Sequence, residues 1–292
     1  MNEKILSSKL SKFEEYLLYE VENGDSTTKK YVSETKKFLI WLYDEKKMTT
    51  SKITKKLIVE YKKYLQKLYT NPDTINGKIG MNHIFLKFLG KGDITVKRLK
   101  TVKRNCKPNG RYIKEKDYKA LIKCTNKKFM KAVIVVKIIA NTGVRASEVS
   151  QITYEMVLAG KIIVNNKGKI REIVLNKHIK RDLKEYCKRV GIKTGLVILN
   201  SKGKSYNRSS IWRMLKNLAK EMDIDLNTVF PHSFRHLFAV KHYSIYKDIE
   251  ALASILGHSS TETTLIYLKK TAEEYGITMD IWHKGKKKAT EL

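Results

Sequence analysis

The chain has 292 residues, enough for two ordinary domains, and its hydrophobic content of 42% is that of a folded protein. Its 60 Lys and Arg face 29 Asp and Glu, and a net charge of +31 spread along the whole chain repels itself unless a polyanion, usually nucleic acid, neutralises it. No stretch approaches the roughly 18 to 20 apolar residues of a membrane span, and Met1 to Lys9 lacks the apolar core of a signal peptide. Cys106, Cys124 and Cys187 are odd in number, widely spaced and in no metal-binding pattern. The expectation is a soluble, cytoplasmic protein with no disulfide, zinc or membrane partner.

From Ser8 to Leu89 apolar residues recur at helical spacing in four stripes: Phe13, Tyr16, Leu17, Val21; Tyr31, Phe38, Leu39, Leu42; Leu57, Tyr61, Leu65, Leu68; and Ile79, His83, Leu86, Leu89. Breakers at Asn23 to Ser26, Thr49 to Ser51 and Asn71 to Asp73 separate them, which predicts a helical bundle over residues 1–95. Residues 96–111 are rich in Lys and Arg, lack periodicity and read as a basic linker, or equally as a solvated loop. A second domain over 112–275 follows. Helices are expected at Lys116 to Cys124, Met130 to Asn141 and Ala146 to Ile152. Lys161 to Val164 and Ile170 to Leu175, with a turn at Asn165 to Lys169, predict a hairpin. Further helices are predicted at His178 to Val190, Ser209 to Glu221, His232 to Tyr246, Ile249 to Leu256 and Thr261 to Lys269, and residues 276–292 form a tail. The fold class is therefore mainly α with a small β-sheet (α+β).

The residues able to do chemistry are Arg145, Lys167, Lys169, His232, Arg235, His258 and Tyr267. Phosphoryl transfer without a metal needs an in-line nucleophile, donors for the non-bridging oxygens and an acid for the leaving oxygen. Arginine suits the oxygens because its planar fork gives two charge-assisted hydrogen bonds and keeps its proton. Each residue also has a plainer reading. Arg145 and Glu148, three apart, fit a surface ion pair. His232 could begin a helix and His236 pack in a core; their i, i+4 spacing lacks the third ligand of a zinc site. Leu256-Gly257-His258 fits a helix cap, and Tyr267 fits a core tyrosine.

Taken together, Thr142-Gly143-Val144-Arg145-Ala146-Ser147-Glu148, Lys167-Gly168-Lys169, Pro231-His232-Ser233-Phe234-Arg235-His236, Leu256-Gly257-His258-Ser259-Ser260 and Thr263-Thr264-Leu265-Ile266-Tyr267 resemble the tyrosine recombinase family, the phage integrases and Xer-like enzymes. The order matches, as do the intervals of 22 residues from Arg145 to Lys167, 23 from Arg235 to His258 and nine from His258 to Tyr267. The resemblance covers about residues 110–275; the N-terminal bundle matches only in position and helical character. It implies that Arg145 and Arg235 bind the scissile phosphate and that Lys167, with Lys169 as the alternative, protonates the leaving 5′ oxygen. It further implies that His232 and His258 assist in proton transfer, that Glu148 supports the site from behind Arg145, and that Tyr267 attacks. Phe234 stands where the family usually has leucine.

The resemblance also implies a core-binding bundle joined to a catalytic domain, double-stranded DNA as substrate, a homo-tetramer on DNA, a tail docking on a neighbouring subunit, accessory DNA-binding proteins and no cofactor. Two other readings stay open: a type IB topoisomerase-like nicking enzyme, and a DNA-binding regulator that keeps the fold without the reaction.

Overall fold

The computed structural model describes residues 3–101, 112–166 and 168–268. Lys167, the end of the basic linker and the 276–292 tail lie outside the described residues. The chain divides into two compact units, Met1–Lys103 and Arg104–Leu292.

The first unit is built from four helices, α1 (Glu3–Glu15), α2 (Asp25–Ile40), α3 (Lys55–Leu68) and α4 (Pro72–Phe88). Their ends carry the expected signals. Thr54 caps α3 by accepting from the Leu57 N–H, and Asn71 caps α4 ahead of Pro72 at its first position, where a missing N–H costs nothing. Helices α1 and α2 run on into π-helical turns, Tyr16–Glu20 and Trp41–Glu45, which carry Leu17, Trp41 and Leu42 into the core. Aromatic rings knit that core, with Phe13 edge-on to Phe85 at 5.0 Å and Tyr61 at 4.8 Å from both Phe38 and Trp41. A buried ion pair, Lys78 Nζ to Glu34 Oε2 at 2.5 Å, joins α4 to α2. Residues 96–101, read from sequence as the start of the linker, lie on α4: the Asn76 amide donates to the Leu99 carbonyl (2.9 Å) and accepts from its N–H (2.8 Å).

The second unit is organised around α6 (Met130–Thr142), apolar on nearly every face and buried from Ala132 to Val136 and at Ile138 and Ile139. Against it pack α9 (Lys177–Val190), α10 (Arg208–Glu221) and α11 (Pro231–Tyr246). Shorter helices complete the unit: α5 (Glu115–Leu121), α7 (Ala146–Val149), α8 (Tyr154–Ala159), α12 (Ile249–Leu256) and α13 (Thr261–Leu268). Helix α8, capped by Thr153 and ended by Gly160, was not anticipated from the sequence. The hairpin pairs β1 (Lys161–Asn166) with β2 (Lys169–Val174), so the strands run further toward the tip than the periodicity suggests. Ile162 lies opposite Ile173 and Val164 opposite Arg171, which places Arg171 on the inward face. No helix among the described residues is long and apolar enough to cross a membrane.

Candidate active site

The site begins where α6 stops. Gly143 takes φ +67, and a Cβ there would lie 2.6 Å from the Phe238 ring and 2.8 Å from Leu256, so only glycine fits. The turn delivers Arg145 to the start of α7. Its backbone N–H donates to Glu148 Oε2 (2.6 Å), its Nη1 to Glu148 Oε1 (3.0 Å) and its Nη2 to the Gly257 carbonyl (3.0 Å). Glu148 is fully buried, so this is no surface ion pair. Burial alone would raise its pKa, but the Arg171 and Arg145 donors outweigh that and hold the carboxyl below its ordinary value.

Arg171 arrives from β2 and holds the same carboxylate with both ends of its fork, Nη1 to Oε1 (2.8 Å) and Nη2 to Oε2 (2.7 Å). Its Nε donates to the Ile255 carbonyl (3.0 Å) near the end of α12.

Helix α11 opens on Pro231 and carries His232 and Arg235. Arg235 is 1% exposed, and its solvation shell is backbone: Nη1 donates to the Gly143 carbonyl (2.5 Å) and Nη2 to the Leu256 carbonyl (2.7 Å). Its Nε has no hydrogen-bond partner. Burial, followed by the Arg145 charge, pushes its pKa down to about 10, so it stays charged at neutral pH. His232 lines a cleft of about 740 Å³ with Arg145, Arg208, Trp212 and Arg235 among its walls. Burial and then the Arg208, Arg235 and Arg145 charges lower its pKa. His236 is 8% exposed and stacks on Tyr112 at 3.9 Å, the core packing that its helical position suggests.

At the far end of α12, Gly257 takes φ +64 and turns the chain so that His258 faces Arg235. His258 Nε2 lies 2.9 Å from Arg235 Nη2. A guanidinium has no acceptor, so Nε2 accepts, and the ring proton sits on Nδ1, donating to Thr264 Oγ1 (2.8 Å). Burial, then Arg235, Arg145 and Arg171, push the His258 pKa down to about 4, which makes the ring neutral at pH 7. The Tyr267 ring lies parallel to His258, 9° between planes and 5.6 Å between centroids, and its phenol interacts electrostatically with the Arg235 side chain.

The structure thus gathers Arg145, Glu148, Arg235, His258 and Tyr267 into one cluster, with His232 beside it in the cleft. Lys167 lies outside the described residues, and the Lys169 backbone begins β2. Sequence reasoning missed Arg171, Arg208 and Thr264. The signal for Arg171 was its place two residues before the inward-facing Ile173 in a strand; nothing in the sequence marked Arg208. Among the described residues no group of three His, Cys, Asp or Glu is placed to hold a metal ion. What the arrangement offers is an oxyanion cradle: one carboxylate against three guanidinium groups, with a phenol and a neutral imidazole at its edge.

The model of the phage integrase family matches residues 111–274, more than half of the chain. The chain belongs to this family, that of the tyrosine recombinases. The tyrosine recombinase XerC of Roseiflexus sp. (strain RS-1) is 32% identical over 137 residues, and the match spans 43% of this chain and 43% of that recombinase. Two solved structures show the same fold. One is the XerH site-specific recombinase in a post-cleavage complex with a palindromic difH substrate, at TM-score 0.70 and 19% identity, covering 94% of this chain and 85% of that one. The other is a lambda integrase tetramer bound to a Holliday junction, at TM-score 0.68 and 16% identity, covering 90% and 76%.

Proposed function

We propose that the protein is a site-specific DNA recombinase that cleaves and rejoins double-stranded DNA through a 3′-phosphotyrosyl intermediate. The observation that carries this reading is the Tyr267 ring stacked on a neutral His258, which itself accepts from the buried Arg235, within one cluster with Arg145. In the forward step the Tyr267 oxygen bonds to phosphorus and the bond from phosphorus to the 5′ oxygen breaks. The phenol proton passes to a neutral histidine, His258 or His232, and the departing oxygen takes a proton from Lys167 or, alternatively, Lys169. Arg145 and Arg235 stabilise the two negative charges of the five-coordinate phosphorus. The ester keeps the bond energy, so attack by another 5′ hydroxyl rejoins the strand without ATP, and no cofactor is invoked.

In this reading residues 1–95 are the core-binding bundle, 96–111 the basic linker and 112–275 the catalytic domain. Four copies exchange strands by way of a Holliday junction, with the 276–292 tail docking on a neighbouring subunit. The lambda integrase neighbour, a tetramer on such a junction, supports the assembly, and the net charge of +31 supports a DNA partner.

Covalent trapping tests the reading. Wild type and Tyr267→Phe are incubated with DNA flanking the gene, quenched with detergent and examined for a protein–DNA adduct. An adduct in wild type that vanishes in the variant, and whose sequenced junction defines the site, is the expected result. An adduct that survives Tyr267→Phe rejects the nucleophile. DNA binding with no adduct in either protein favours the binding-only regulator, and relaxation of supercoils without strand exchange between two sites favours the topoisomerase-like enzyme.

A further inference from the structure

Arg171 stands inside the cluster but has no part in the chemistry above. Each of its three nitrogens donates within the protein, two to Glu148 and one to the Ile255 carbonyl, and its side chain is 12% exposed. Arg145 differs: its side chain is 25% exposed and lines the cleft. Both arginines share one carboxylate, and that carboxylate has no access to water.

The charge count follows from this sharing. A buried carboxylate needs a cation. Were Arg145 its sole partner, the two would form a neutral pair, and a phosphate in the cleft would meet the hydrogen bonds of Arg145 without its charge, leaving the other guanidinium groups of the cleft to supply the charge alone. With Arg171 as the bidentate partner, Glu148 is already compensated. It can then orient Arg145 through the backbone N–H and Nη1 while one full positive charge remains facing the cleft. The fit is close, since a Cβ on Gly257 would come within 2.8 Å of Arg171 Nη1.

We propose that Arg171 is a positioning residue that neutralises Glu148, so that Glu148 aims Arg145 at the scissile phosphate without cancelling its charge. The proposal rests on the recombinase reading, and its test separates the two. The substrate is a duplex carrying the junction recovered from the trapped adduct, with either an ordinary phosphate or an uncharged methylphosphonate at the scissile position. On the ordinary phosphate, Arg171→Met should slow adduct formation by about a hundredfold, the scale of losing one transition-state donor. On the methylphosphonate, which demands less charge stabilisation, the loss should shrink. Adding Glu148→Gln to Arg171→Met should restore much of the rate, because the uncompensated carboxylate is gone. A structural role alone would give equal losses on both substrates and a double variant worse than the single one, and either result overturns the proposal.

Arg171→Lys keeps the charge without the fork and covers the case in which the methionine variant does not fold. It should retain most of the rate, and a loss as deep as that of Arg145→Ala overturns the charge argument. If wild type binds this DNA without forming an adduct, the recombinase reading falls and takes this one with it. If wild type cleaves and Arg171→Met cleaves equally fast, this one falls alone.

Discussion

Replacing Gly143 by alanine should destabilise the second unit through two separable costs. The first is the left-handed backbone at φ +67, worth about 1–2 kcal/mol for a residue with a Cβ. The second is overlap: the new methyl would sit 2.6 Å from Phe238 and 2.8 Å from Leu256, both packed around the site, and over-packing of this kind costs about 1–3 kcal/mol. Gly191, which ends α9, isolates the first term, because it takes φ +74 with nothing within 4 Å of its would-be Cβ. Gly143→Ala is therefore expected to cost about 3 kcal/mol and Gly191→Ala about 1 kcal/mol. The assay is urea denaturation of the full chain read by hydrogen exchange in α6 and α9 peptides, which follows the unit that carries both glycines. A difference between the variants under about 0.5 kcal/mol, the usual error of such additivity, would refute the packing argument. Because the Gly143 carbonyl holds Arg235 Nη1, the same substitution should also slow adduct formation.

Three further outcomes are expected. The folded His258 has a pKa of about 4 against an ordinary 6.5, so the stability held by its neutral form is complete above pH 6.5 and is lost as the pH falls toward 4; an NMR titration placing its midpoint near 6.5 would contradict the site geometry. Lys78→Met strands the buried Glu34 with only the half-exposed Lys37 and should cost about 3 kcal/mol in a urea melt, partly recovered by adding Glu34→Gln; no change would mean the pair is not held as described. Binding to a non-specific duplex should weaken by about a thousandfold or more between roughly 50 and 200 mM salt, and a flat dependence in fluorescence anisotropy would argue against a phosphate-tracking surface.

Much of this was legible in the sequence because helix signals and site signals coincide. The glycine that ends α6 and the glycine that ends α12 are also the residues that turn Arg145 and His258 inward, so the cap reading of Leu256-Gly257-His258 also accounts for where His258 stands in the cluster. Tyr267 and His236 likewise keep the packed character their flanking residues suggest while touching the site. Arg171 was missed because strand alternation was read only as a sign of β-structure; a charged residue on the inward face of a hairpin needs a buried partner, and that need points to Glu148. The π-helical turns that end α1 and α2 were out of reach, since a 3.6-residue period and its slight local widening give the same apolar stripe.

The way the arginines are solvated explains why the site can serve an anion at all. A buried guanidinium paired only with its own carboxylate brings no net charge to a phosphate, yet an unpaired one bears a large desolvation cost. Arg235 meets neither fate. Its Nη groups rest on the carbonyls of Gly143 and Leu256, at the C-terminal ends of α6 and α12, and Arg145 rests its Nη2 on the Gly257 carbonyl just beyond. Each helix end carries only about half a negative charge, which offsets part of the cost of burial without cancelling the cation. Three guanidinium groups and the single carboxylate of Glu148 then leave two positive charges, the number a five-coordinate phosphorus with two anionic oxygens requires. Lysine at position 235 would lack the planar fork that holds both carbonyls in a fixed geometry. Arg235→Lys should accordingly retain the charge, lose the orientation and fail at cleavage while DNA binding persists; a variant that cleaves at the wild-type rate would show that charge alone suffices and that the helix-end cradle is incidental.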